Sequence, residues 1–155
     1  MTIDSSLQLS VQAGVQHESN GRSGDVGRSA NNVYMSPMAR LNLGDGYSMS
    51  LAPRYTVLIG GRAGNPDLMK YRGHASLSWQ IGQDEGWRLS SYGRLNFSTG
   101  KGAVQTELSY PLPSLLGGGG PGFYLFGQVF AGYGESLLDY NRRMTRFRLG
   151  FAITR

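Results

Sequence analysis

The sequence predicts an all-β fold, an antiparallel transmembrane β-barrel of about eight strands in this chain, on three observations. Apolar residues recur at every second position over segments of about 9 to 13 residues, close to what a tilted strand needs to cross a bilayer. The opposite faces of those segments carry Arg, Lys, Gln and Asn in numbers that suit a solvated or hydrogen-bonded lumen. The 155 residues include 24 Gly, 9 Tyr and 6 Phe with only 16% charged side chains, a composition of turn-rich β proteins rather than helical ones. A water-soluble β-sandwich also alternates, and is the competing architecture.

The first strand is read from Leu7, Leu9, Val11, Ala13 and Val15 set against Gln8, Ser10, Gln12 and Gly14. After the polar stretch Asn20 to Ala30, the alternation resumes with Val33, Met35, Pro37, Ala39, Leu41 and Leu43 facing away from Asn32, Tyr34, Ser36, Arg40 and Asn42. Gly44-Asp45-Gly46 is a tight-turn signal, and a third strand follows from Tyr47 to Ile59. A fourth is expected from Met69 to Ile81, with Lys70, Arg72, His74, Ser76, Ser78 and Gln80 on its polar face, and a fifth from Trp87 to Phe97. Val104 to Tyr110, Phe123 to Tyr133 and Phe147 to Ile153 complete the set, separated by a turn at Gly100, a glycine loop at Gly117 to Gly120 and a polar loop near Asp139 to Arg143. Trp79, Trp87, Tyr47, Tyr55 and Tyr71 are expected as interfacial girdle residues on the apolar face.

No composition shift suggests a linker, so residues 1–155 read as one domain. No run approaches the ~18 apolar residues of a membrane helix. The absence of cysteine excludes disulfides, thiolate metal sites and cysteine nucleophiles. A net charge of +5 could suit nucleic acid, but the basic residues are scattered, which disfavours that partner and points to anionic lipid head groups.

One constellation carries chemistry. If the first two strands pair so that Val15 faces Val33, His17 falls opposite Asn31, and both share the apolar side with Ser19. A serine hydroxyl becomes a nucleophile when a base takes its proton, and an imidazole acts as that base when its other nitrogen is held. Ser19, His17 and Asn31 stand in that order, and the backbone amide of Gly21 is a candidate for the oxyanion hole. His-x-Ser by itself is common, and a polar strand end running into a loop is the bland alternative.

The residues around this constellation add specificity. His17-Glu18-Ser19-Asn20-Gly21-Arg22-Ser23 followed by Arg28-Ser29-Ala30-Asn31-Asn32-Val33-Tyr34 resembles the active-site hairpin of the outer-membrane phospholipase A family. Asn65-Pro66-Asp67 with Lys70-Tyr71, Leu108-Ser109-Tyr110-Pro111, and the run from Gly132 to Asn141 resemble later stretches of that family in the same order. The resemblance implies a calcium-dependent carboxylic ester hydrolase of the bacterial outer membrane. Its substrates would be glycerophospholipids and lysophospholipids, cleaved at either acyl position, and it would be active as a homodimer. It implies His17 as general base, Ser19 as nucleophile, Asn31 as orienting residue and Gly21 as oxyanion donor. A non-catalytic barrel, porin-like, structural or an inactive relative, is the alternative.

The same resemblance places calcium beside the Arg22 carbonyl, with Asp25 as the acidic ligand still available. Gly27 stands where the family has a serine ligand, and Gly24 and Gly64 where it has acidic side chains, so a weakened site is expected. The family barrel has about a dozen strands, so the chain is expected to lack the amino-terminal ones; it closes on itself or is a fragment with two open edges, and of these any ordered form is expected to pair Ser5 to His17 with Arg146 to Ile153. Among other polar residues, His74 reads as a lumen hydrogen-bonding group, Glu135 and Asp139 as loop-capping residues, and Arg22 and Arg28 as residues that order the loop or meet phosphate, with loop ordering favoured.

Overall fold

The computed structural model describes residues 6–61, 64–115 and 122–153. These form a single antiparallel sheet whose strands neighbour one another in chain order: β1 (Leu7–Ser19), β2 (Ser29–Gly44), β3 (Tyr47–Gly60), β4 (Ala75–Gln83), β5 (Arg88–Asn96), β6 (Lys101–Pro111), β7 (Tyr124–Gly132) and β8 (Met144–Ala152). Among the described residues two short α-helices, α1 (Leu68–Arg72) and α2 (Leu112–Leu115), and one 3-10 turn (Gly24–Val26) interrupt the meander. The glycine loop expected at Gly117 to Gly120 lies outside the described residues. No helix among the described residues is long and apolar enough to cross a membrane, which says nothing about strands.

Alternation of side chains sorts the sheet into two unlike faces. One is apolar and uncovered, with Leu9 and Val15 each 74% exposed and Leu149 86% exposed. A sandwich would bury such residues against a second sheet; here all eight strands belong to one. The other face curves round a polar cavity of about 400 Å³. There Arg54 lies 3.5 Å over the Tyr34 ring and donates to Gln16 (2.7 Å), while Arg148 and Glu107 meet at the two ends of the Gln128 amide (both 2.8 Å). Glu135, expected to cap its loop, instead reaches into this ladder and pairs with Arg146 and Arg148.

The β2–β3 hairpin turns on Asp45 and Gly46, both at positive φ (50° and 75°). That is the primed two-residue turn whose twist matches the strands it joins, and Asp-Gly is a preferred sequence for it.

The expected fourth strand is corrected at its start. Residues 68–72 are helical and the strand begins at Ala75. Period-two alternation does occur from Met69 onward, but Pro66 and Gly73 bracket a helical turn, and Gly73 (φ 69°) ends it by donating its N–H to the Met69 carbonyl. The helix folds to the polar side of the sheet, where Leu68 joins Ala30, Leu58, Leu137 and Tyr140 in a small buried cluster. Tyr71 is therefore not a girdle residue: its ring packs 5.5 Å from those of both Tyr133 and Tyr140.

Closure is the second correction. Among the described residues β1 and β8 are the two edges of the sheet and do not pair with one another. An eight-stranded barrel has an interior just wide enough for side chains. Here Leu68 of α1 packs with Leu137 and Tyr140 on the polar face, and Arg54, Arg72 and Arg94 line the cavity beside them, so that face holds more than the side chains of its own strands.

Candidate active site

The first hairpin is in the register that the sequence predicts. Val15 pairs with Val33, His17 with Asn31 and Ser19 with Ser29. At its open end His17 Nδ1 is 2.6 Å from Asn31 Oδ1. An amide oxygen only accepts, so Nδ1 carries the proton, and Nε2 presents its lone pair on the side away from Asn31. Ser19 projects from the same face two residues along β1, exposed like His17. The Asn31 amide nitrogen lies above Gly60, where an added Cβ would sit 3.3 Å from it. Gly60 thus leaves the amide room to keep its oxygen toward the imidazole.

The connection from Ser19 to Ser29 is tied to itself. Asn20 Oδ1 accepts from the backbone N–H groups of Arg22 (3.2 Å) and Arg28 (3.0 Å), its Nδ2 donates to Val26 O (2.7 Å), and its own N–H donates to Arg28 O (3.1 Å). This role of Asn20 was not anticipated, although an asparagine leading into Gly at a strand end is a recognisable turn-forming pair. Gly21, at φ 67°, directs its N–H to Ser19 Oγ at 3.4 Å.

Arg28 orders the loop, as expected. Its Nη1 donates to the carbonyls of Asp25 (2.8 Å) and Gly27 (2.9 Å). Gly64 makes this possible, since a Cβ there would lie 2.6 Å from the same nitrogen. Asn65, fully buried, donates to Ser29 O (3.1 Å) and binds the turn before α1 to the start of β2. His74 donates from Nδ1 to the Thr56 carbonyl (2.8 Å) and stacks on Tyr55, a hydrogen-bonding role without a link to Ser19. Asp139 engages Arg142 within its own loop.

The donor set for calcium is thin. A side chain at Gly27 would crowd the Arg22 carbonyl at 2.9 Å, and the carbonyls of Asp25 and Gly27 are already engaged by Arg28. No cluster of three or more His, Asp or Glu occurs among the described residues. Arg22 O and the Asp25 carboxylate leave most of the six to eight oxygens that calcium takes to be supplied from elsewhere. These residues fit a partial, weak site and no more.

Residues 3–153 match the model of the phospholipase A1 family. The phospholipase A1 of Salmonella typhimurium is 38% identical over 141 residues, 90% of this chain and 44% of that protein. Among solved structures, outer membrane phospholipase A from Escherichia coli superposes with a TM-score of 0.76 at 34% identity, covering 94% of this chain and 52% of that one. The Salmonella typhi outer membrane phospholipase, a dimer with bound calcium, gives the same score and coverage at 36% identity. An Escherichia coli form with alanine in place of an active-site asparagine matches equally well. The chain spans about half the length of the relatives it matches.

Proposed function

The chain belongs to the phospholipase A1 family, and on that premise we propose that it hydrolyses acyl esters of glycerophospholipids and lysophospholipids with Ser19, His17 and Asn31 at the rim of the first hairpin. The observation that carries this reading is the 2.6 Å contact between His17 and Asn31 on the apolar face, with Ser19 next along the same edge. It is supported by the relatives' shared activity and by the active-site asparagine of the Escherichia coli protein.

In this mechanism His17 Nε2 takes the Ser19 proton as Oγ attacks the ester carbonyl carbon. Asn31 holds the ring so that Nε2, and not Nδ1, is the base. Negative charge collects on the former carbonyl oxygen, and the Gly21 N–H stabilises it. Collapse breaks the bond to the glycerol oxygen, which leaves with the proton held by His17. Water, deprotonated by the same nitrogen, then releases the fatty acid and restores Ser19.

Placement on the apolar face suits this substrate. The scissile ester lies at the head-group boundary while the acyl tails stay among Val15, Val33 and their neighbours in the lipid of an outer membrane. Asparagine brings no charge to the imidazolium, and positive charge near the oxyanion offsets that. Calcium, held weakly by Arg22 O and Asp25 with water and a second copy of the chain completing the shell, supplies such charge when bound. The proposed active form is a homodimer, as in the Salmonella typhi structure.

The test is release of fatty acid from a defined phospholipid panel in detergent micelles. Ser19→Ala is expected to abolish release without altering the β spectrum. Retention of most activity in that variant would remove Ser19 from the mechanism, and no hydrolysis by the wild type would leave a non-catalytic member of the family.

A further inference from the structure

We propose that Glu18 and Arg72 are positioning residues, an ion pair behind β1 that holds the strand end so that His17 and Ser19 project outward. The proposal rests on the reading of Ser19 and His17 given above. Glu18 stands between them in sequence, and alternation along β1 sends its side chain to the cavity side. There Arg72, the last residue of α1, meets both carboxylate oxygens, Nη1 to Oε2 at 2.6 Å and Nη2 to Oε1 at 3.0 Å. A two-bonded fork of this kind fixes orientation as well as distance.

The clasp is anchored on its far side. Arg72 Nε and Nη2 also donate to the Gly134 carbonyl (3.1 and 3.0 Å), which accepts from Arg94 as well, and Arg94 reaches the Tyr133 carbonyl at 2.9 Å. One carboxylate at the end of β1 is thereby joined to α1, to β5 and to the segment after β7. Gly134, at φ 73°, makes the space: a Cβ there would lie 2.8 Å from Arg72 Cγ.

The strand end needs such a hold. Among the described residues β1 has a ladder on one side only, and its partner β2 is itself irregular there, the β2–β3 register shifting between Asn31 and Asn32. A one-residue slip or local twist exchanges the faces of a strand. At this position that motion would carry His17 and Ser19 inward and swing Glu18 onto the apolar face. Breaking the fork to do so strands a partly buried carboxylate and the Arg72 guanidinium, whose side chain is 13% exposed.

The experiment uses the full chain in detergent micelles with Glu18→Gln, Arg72→Lys and the double variant Glu18→Leu/Arg72→Met. Three quantities are read: labelling of Ser19 by a fluorophosphonate, kcat against KM, and backbone hydrogen exchange over residues 15–21. Each single variant is expected to slow labelling and lower kcat by roughly 10- to 100-fold with KM little changed, because a nucleophile displaced by about 1 Å loses rate and not binding. Exchange over residues 15–21 should rise in parallel. The double variant is expected to recover to within about 10-fold of wild type, since an apolar pair of similar volume can replace a buried ion pair. Such a rescue is not the behaviour of a bystander charge.

Wild-type labelling rate and exchange in both single variants would overturn the proposal. So would a double variant no better than either single one, and this arm decides the matter if a single variant does not fold. Failure of the wild type to label at Ser19 is a different result: it removes the nucleophile assignment, while hydrogen exchange still decides whether the clasp holds the strand.

Discussion

The rim of the first hairpin and the plug behind it meet at consecutive residues, for Ala30 is buried in the plug while Asn31 turns outward to His17. The two regions are held in opposite ways. The rim consists of exposed or half-buried polar side chains joined by individual hydrogen bonds, with Asn20 and Arg28 as the ties. The plug is an apolar cluster of Leu58, Leu68, Leu137 and Tyr140 backed by the buried Asn65. On the proposed mechanism, chemistry and stability fall to different residues of these two regions. Substitutions at the rim should change rates while leaving the fold, and substitutions in the plug should do the reverse.

The widest separation is expected for His17→Ala. Loss of the base should lower kcat by on the order of 10³-fold or more, with an unchanged thermal midpoint. Asn31→Ala should cost less, about 10- to 100-fold, because the ring keeps its basic nitrogen and loses only the bond that orients it. Fatty-acid release and thermal melting on the same samples check both. A midpoint that falls with the rate in either variant would dissolve the distinction between rim and plug.

Leu68→Ala is the converse. Leu68 is 1% exposed, and removing its side chain from the cluster should destabilise the fold by about 2–5 kcal/mol through lost burial and the cavity left behind. Below its lowered midpoint the variant should retain kcat within about 3-fold of wild type, because Leu68 touches none of the reacting atoms. Equilibrium unfolding beside a rate measurement separates the effects, and a large kcat loss in a fully folded Leu68→Ala would show that the plug sets the geometry of the rim.

The rim was more legible in the sequence than the plug, and the reason is physical. His17 and Asn31 lie on two strands joined by one connection, so a period of two and a single assumed pair, Val15 with Val33, place them opposite each other. What lies behind the rim is assembled from residues far apart in sequence, Glu18 with Arg72 holding the strand end and Asp67 with Tyr140 at the plug, and no local period announces those contacts. Residues 68–72 misled for another reason: their alternation fits a strand, and only Pro66 and Gly73 mark a helix. Tyr71 went to the outer face by the same error. The open edges could not be read at all from alternation, which is the same in a strand with one neighbour or two.

Tyr140 allows the plug to be probed by pH alone. Burial, then its hydrogen bond to Asp67, pushes the phenol up to about 12 from an ordinary value near 10. The neutral form is favoured in the folded chain, so this contribution to stability is fully present below about pH 10 and is lost as pH rises toward 12. Tyr140→Phe should be less stable than wild type at pH 8, and the difference should shrink by pH 12. Parallel stability curves for the two proteins across that range would mean that the phenol does not couple ionisation to folding.

Calcium should produce the smallest change, and it returns the comparison to the rim. A metal that ordered the loop would be essential only if the loop had no other tie. Here Asn20 links the backbones at Arg22 and Arg28, and the Arg28 guanidinium already satisfies the carbonyls of Asp25 and Gly27, in space left by Gly64. At the proposed site, what would remain for the ion is electrostatic, a positive charge near Arg22 O and the Asp25 carboxylate with few protein ligands. Excess chelator is therefore expected to lower kcat by only about 3- to 10-fold, the effect of a weakly held charge near the oxyanion. Asp25→Ala should remove that response and leave the chelated rate as it was, whereas Arg28→Gln should lower the rate at every calcium concentration. Calcium titrations of the three proteins decide it. A full rate in chelator, or an unchanged response in Asp25→Ala, would take the ion away from Asp25, and a near-complete loss in chelator would mean that the protein's own ties do not order the loop.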